Sequence, residues 1–385
     1  MSNNMTTIEH RATAQRSLCA LAGLAAIFFT VAISPAAPPE KPADPGPVNG
    51  SKAEAIPKGY ICYRAQTPIV IDGRIDEAPW TDAPWTDLFV DIEGDKRPRP
   101  RFQTRAKMLW DDTYFYVAAR LEEPHVWGTL TKHDSVIFQD NDFEIFIDPD
   151  GDNQEYYELE INALNTEWDL FLKKAYRDGG PAINEWEVPG LRTAVTISGT
   201  LNDASDTDQG WSVEFAIPWR VLAEFAHRPA PPRDGDQWRV NFSRVEWQHE
   251  ITGGKYRKVP NTHEDNWVWS PQGAIDMHRP EKWGYVQFST ATPGQAAFRP
   301  DPAAPARDLL MQIYHAQKAF HSKNKRWAPS LKDLELQPAA PLPLDSTTLT
   351  LTPDGFEAAI TLTPAGGPAQ TWTIRQDSRI QSKPK

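Results

Sequence analysis

An antiparallel β-sandwich followed by a small C-terminal α+β unit is the fold predicted by this 385-residue chain. Three observations carry that expectation. Between Gly59 and Thr290 apolar and polar residues alternate in many short runs, the period of half-buried strands. Turn chemistry built on Asp, Asn, Gly and Pro separates those runs. Most of the fifteen tryptophans recur along the same segment, as they do in two-sheet folds with aromatic cores.

Met1–Arg16 is polar, Leu18–Ile33 is apolar and free of charge, and Ser34-Pro35-Ala36 offers small residues. Residues 1–36 therefore read as a secretory signal peptide cleaved after Ala36, because the apolar run is short for a span of about 20 residues. An uncleaved anchor is the alternative, and no lipobox cysteine follows the run. Residues 37–58 form a Pro-rich, extended linker. Residues 59–290 are the β domain. Ile69–Gly73 reads as a strand entering a turn, and 106–112 with Tyr114–Leu121 as a hairpin cornered by Asp111-Asp112-Thr113. Asp142–Asp148 and Glu158–Asn162 pair around the turn Pro149–Asn153, and Glu167–Leu172, Arg192–Gly199 and Trp211–Ile217 are further strands. Pro218–Leu222 is a helical turn opened by proline, and strands Trp238–Trp247 and Trp283–Phe288 close the domain. Residues 291–305 form a second linker. In 306–385, Leu309, Leu310, Ile313, Ala316 and Phe320 give an amphipathic helix over Ala306–Ser322. Strands Thr347–Thr352, Phe356–Leu362 and Thr371–Ile374 follow.

The net charge of −12, with no basic run, excludes a nucleic-acid surface. Cys19 lies in the leader, so Cys62 stands alone in a mature chain as a small buried hydrophobe without a disulfide. The nine histidines show no HxH or HExxH spacing and read as solvated loop residues.

The stretch Asp140–Asn162 carries the functional signal. Pairing as a hairpin puts Glu144, Glu158, Glu160 and Asn162 on one outward face. Like charges across a strand pair repel, so that face calls for cations, arginines or a polyhydroxylated ligand beside it. Sugars stack on aromatic rings and bond to carboxylates and amides. The candidate ligand-binding residues are Phe138, Glu144, Glu160, Asn162, Trp168, Trp269 and Met277. Trp80, Trp110, Trp211 and Trp219 sit in fold-defining segments, whereas Trp127, Trp186 and Trp267 sit in loop-like contexts that favour the surface. Asp148, Asp150 and Asp152 crowd oxygens into a turn that could hold calcium; Gly151 falls at the fourth place, not the sixth of an EF-hand, and a polar hairpin turn is the alternative. No other cofactor is expected.

Asp72–Trp80, Leu109–Val117, Asp140–Asp148, Trp211–Trp219 and 281–285 resemble, in order, the segments of carbohydrate-binding module family 9. The resemblance implies an immunoglobulin-like or jelly-roll sandwich that holds a sugar between two aromatic rings, usually attached to secreted glycan-degrading enzymes. It places the first ring at Phe138 and the acidic-strand contact at Glu144. Glu160 stands where the family has a basic contact, and Met277 or His278 where it has the second ring. Ile313–His321 with 326–331 resembles the helix-to-loop part of pilin-like domains. The expectation is a secreted or periplasmic, non-catalytic carbohydrate-binding protein that supports polysaccharide catabolism. Its partners would be poly- or oligosaccharides and glycan-degrading enzymes, with no membrane after signal cleavage. Two alternatives remain. Paired carboxylates could hydrolyse O-glycosyl bonds, and Met277 beside His278 could ligate haem in a redox module.

Overall fold

The structure, a computed structural model, describes residues 56–336, 346–363 and 369–384. The expected leader and residues 37–55 lie outside them. Alternation becomes strand in nearly every run singled out above. β1 (Gly59–Arg64) and β2 (Val90–Asp91) precede the hairpin β3 (Thr104–Trp110)–β4 (Tyr114–Glu122). Asp111 makes its corner, with Oδ1 accepting the N–H groups of Thr113 and Tyr114 at 2.6 and 2.8 Å. β5 (Asp142–Asp148), β6 (Gln154–Asn162), β7 (Glu167–Lys174) and β8 (Ala182–Ile183) follow as an antiparallel run. Next come β9 (Arg192–Ser198), β10 (Gly210–Pro218), β11 (Gln237–Glu246), the small hairpin β12 (His249–Thr252)–β13 (Lys255–Lys258), β14 (Asp265–Val268) and β15 (Gly284–Ser289).

Apart from β12 and β13, which pair with each other in a separate two-stranded sheet, these strands form one long sheet in the order β8-β7-β6-β5-β11-β15-β1-β3-β4-β10-β9, with β14 on β11 and β2 on β14. The sheet curls on itself and packs one face as a shared core. Phe143, Ile145 and Phe242 from one half meet Met108, Val117 and Phe215 from the other, and the Phe143 and Phe215 rings lie 6.1 Å apart. The expected mainly β sandwich is thus present, but its pairing is mixed. β1 runs parallel to both β15 and β3, because long connections rather than hairpins join it to them and leave its direction free.

Ile69–Gly73 is not a strand. Its amides bond to a side chain instead of a ladder: Glu214 Oε2 accepts from Asp72 and Gly73, while Oε1 accepts from Trp80 Nε1. The segment caps the outer face of the sheet with Ile69 and Trp80 buried. Trp127 and Trp267, expected at the surface, are 3% exposed, and Trp186 packs 5.0 Å from the Tyr157 ring. Cys62 is fully buried, and burial raises its thiol pKa well above the ordinary value.

The C-terminal unit is a helix over Ala304–Asn324 against a four-stranded antiparallel sheet, Thr347–Thr352, Gly355–Leu362, Gln370–Arg375 and Ile380–Pro384. The fourth strand was not expected. Leu309, Leu310 and Ile313 bury against Phe356, Ile360 and Ile374. Residues 291–303 are no loose linker: Gln287 bonds the carbonyl of Ala297 and the N–H of Arg299 at 3.0 and 2.8 Å. The unit docks on the β5–β6 turn. Ile380 N–H donates to Asp152 O, Asn153 Nδ2 donates to Ser378 O, and Tyr314 Oη donates to Asp178 Oδ1.

Candidate functional site

The register of four strands builds a polar row on the sheet face away from the main core. Trp168 on β7 stands opposite Glu160 on β6, Glu160 opposite Glu144 on β5, and Glu144 opposite Ser243 on β11. One row along, Asn162 faces Asp142; on the other side, Glu158 faces Phe146. The hairpin register expected from the alternation is therefore present. The expected exposure is not: Glu144, Glu158 and Glu160 are 5%, 5% and 2% exposed, and Asp142 is fully buried.

What covers this face comes from elsewhere in the chain. The turn Ile137–Gln139 lies over Glu160, whose Oε2 accepts the Phe138 N–H at 2.9 Å. Trp247, just past β11, donates Nε1–H to Phe138 O at 2.8 Å, and Lys258 Nζ sits 3.5 Å over its ring. On the far side Met277, Trp283, Tyr156 and Phe146 form an apolar cluster, with Trp168 packed at its edge. Tyr176, 41% exposed, stacks edge-on against His278 with ring centroids 4.4 Å apart.

Lys258 is drawn to Asp142, yet burial dominates the row. Burial, then neighbouring carboxylates, pushes Asp142, Glu158 and Glu160 well above the usual carboxylate range, and burial raises Glu144 to about 7. Glu144, Glu160 and Asp142 bring one oxygen each within 4.8 Å of one another. Asp142 Oδ2, Glu158 Oε2 and Ser243 Oγ are buried without a hydrogen-bond partner among the described residues. The face therefore favours neutral carboxyls and offers acceptors beside half-buried rings, a surface that fits hydroxyl groups better than another anion.

The candidates separate on this geometry. Phe138 is half-buried, fixed through both its backbone groups, and stacks on no other aromatic ring among the described residues. Glu144, Glu160 and Trp168 lie with it on one face. Asn162 is committed to the frame: Nδ2 donates to Leu130 O and Asp140 Oδ2, and Oδ1 accepts from Leu164 and Thr166. Trp269 is a core residue, 1% exposed and edge-on to Tyr60 at 6.3 Å. Met277 is 8% exposed, and its carbonyl accepts from Trp283 Nε1. His278 is held at Nδ1 by Tyr156 Oη at 2.9 Å. Trp247, Tyr176 and Ser243 were missed. Trp247 ends a strand that alternation found, so its ring position was within reach; Tyr176 depends on a loop whose path no periodicity encodes.

Asp148, Asp150 and Asp152 also converge within 4.8 Å. Asp148 accepts the N–H groups of Gly151 and Asn153, and Asp152 Oδ2 accepts from Arg379 Nε at 2.9 Å. Turn hydrogen bonds and an arginine offset part of this charge, while burial and neighbouring carboxylates still raise Asp148 and, to about 6, Asp152.

A family model described as "Carbohydrate family 9 binding domain-like" matches residues 71–272, a little over half of the chain. Exoglucanase XynX of Acetivibrio thermocellus is 30% identical over 155 residues, 40% of this chain and 12% of that protein. Endo-1,4-beta-xylanase A of Thermoanaerobacterium saccharolyticum is 27% identical over 153 residues, 40% of this chain and 11% of that protein. The chain thus spans 11–12% of the length of these curated relatives. Among solved structures, a carbohydrate binding module family 9 from Caldicellulosiruptor kristjanssonii in complex with cellotriose aligns at TM-score 0.41 and 14% identity, covering 63% of this chain and 100% of that one.

Proposed function

The chain belongs to the carbohydrate family 9 binding domain-like family, and from that premise we propose that its polar sheet face, roofed by Phe138, Trp168 and Trp247, binds a poly- or oligosaccharide. Phe138 stacks on a sugar ring, while Glu144 and Glu160 exchange hydrogen bonds with hydroxyls at the foot of the rings. Asn162 positions the loop over the site rather than touching ligand. The protein acts outside the cytoplasm, delivered by the leader in residues 1–36, and keeps glycan close to degrading enzymes. Its role is binding rather than bond cleavage. Retaining hydrolysis uses one ionised carboxylate and one acid in an open cleft, whereas all four acids here are pushed toward the neutral form by burial.

The observation that carries this reading is the Phe138 ring, half-buried and clamped by backbone bonds to Glu160 and Trp247. Calorimetric titration of the full chain with cello- and xylo-oligosaccharides tests it. Phe138→Ala is expected to weaken binding by about tenfold or more while leaving the melting temperature in place. Equal affinity in variant and parent would overturn the assignment of the ring.

A further inference from the structure

A second site lies away from the polar face, where the sandwich meets the C-terminal unit. A cavity of about 370 Å³ opens there between the β5–β6 turn, β11, β15, residues 299–302 and the start of the long helix. Four arginines line it: Arg228 and Arg239 from the sandwich, Arg299 from the connecting segment and Arg307 from the helix. Tyr285 and Trp372 supply ring faces, the second from the C-terminal sheet.

The arginines around this cavity are paired unequally. Arg228 has an acidic partner, Asp236 at 3.7 Å. Arg239 is 4% exposed and donates to the carbonyls of Pro280 and Glu281; its Nη1 is buried with no hydrogen-bond partner among the described residues. Arg307 donates to the Gly151 carbonyl and lies 5.1 Å over the Trp372 ring. Arg228 Nε and Trp372 Nε1 are further buried donors without acceptors among the described residues. Of the other lining acids, Asp150 is drawn to Arg307 but also serves its own turn, and Asp301 serves the helix start. Asp301 Oδ1 accepts from Ala303 N–H at the helix start, and Asp150 Oδ1 accepts from Asp152 N–H. Burial lowers the Arg239 pKa, and nearby Arg307 acts in the same direction, so an anion between them would relieve both costs.

We propose that this cavity binds an oxyanion, a carboxylate or sulfate carried on a group of about one sugar unit, and that the C-terminal unit is retained to complete it. Guanidinium forks match the two-oxygen edge of such anions, and the rings give a face for the carrier. The cavity volume falls within the range of small-ligand sites.

The test uses calorimetry on the full chain at low salt. The probes are sodium sulfate, a hexuronate and glucose as the neutral control. Sulfate or hexuronate is expected to bind and glucose not to bind at this cavity. Arg299→Ala, an exposed side chain, and Arg307→Gln are each expected to weaken oxyanion binding by about tenfold, with melting temperatures reported alongside. Phe138→Ala is expected to leave it unchanged, which separates this site from the polar face. Preference for the hexuronate marks a sugar acid as the carrier, and preference for sulfate a sulfated group; either supports the site. Absence of oxyanion binding to the parent chain, or binding unmoved by both arginine variants, would overturn it.

Discussion

Replacing Arg244 by leucine is expected to cost about 3–5 kcal/mol of folding stability at pH 8. Arg244 is 1% exposed. Its Nη2 bonds Glu123 and Glu246 at 2.7 and 2.8 Å, and its Nη1 bonds Thr104 Oγ1 and Glu122 O at 3.0 and 2.8 Å. Both carboxylates are 1% exposed, so bulk solvent does not reach them to take over from the guanidinium. Burial raises Glu246 while Arg244 opposes that rise. Without the arginine, the folded state must keep these carboxyls protonated or bury a bare charge. Protons are then taken up on folding, and the loss grows as pH rises. Urea titrations at pH 5 and pH 8 check this. The gap between parent and variant should be wide at pH 8 and narrow at pH 5; a gap independent of pH would mean the cost is lost packing against Trp267, not charge.

Glu160→Gln is expected to act in the opposite sense and stabilise the protein at pH 8. Glu144 has an ordinary value of 4.5 and is raised to about 7, and Glu160 is raised well above its own, burial being the first cause in both. A carboxyl raised in the folded state gives its full stabilisation below the unfolded value. That contribution is lost as pH climbs through the folded value. The parent should therefore lose stability from about pH 4.5 to pH 7 and beyond. Glutamine keeps an acceptor for the Phe138 N–H and removes one acid. A gain of about 1–3 kcal/mol at pH 8 follows, or about 3–6 °C in melting temperature, with no gain at pH 5. Calorimetric melting at the two pH values measures it. A lower melting temperature at pH 8 would show that Glu160 is ionised and held by a cation.

Much of this was legible in the residues. Alternation located the hairpin Asp142–Asn162 and its register, because a period of two survives in any half-covered strand. It could not tell which face meets water. The polar row was expected outside, yet Phe138, Trp247 and Met277 cover it from distant parts of the chain. Tryptophans in loop-like contexts misled for a related reason: Trp127 sits on a loop that turns inward after β4, and Trp267 belongs to the strand β14, paired with β11 and β2. Ile69–Gly73 had strand composition, but the Glu214 side chain took the hydrogen bonds a neighbouring strand would have taken. The arginine-lined cavity was invisible, since Arg239 and Arg307 lie 68 positions apart and meet only through docking.

Oxidative footprinting of the full chain, with and without a bound oligosaccharide, tests the location of the sugar most directly. Protection is expected at Phe138, Trp168 and Trp247, with Trp372 and the core ring Trp269 unchanged. Protection confined to Trp372, or absent from all three roof residues while sugar is bound, would place the ligand elsewhere and contradict the polar face as the binding site.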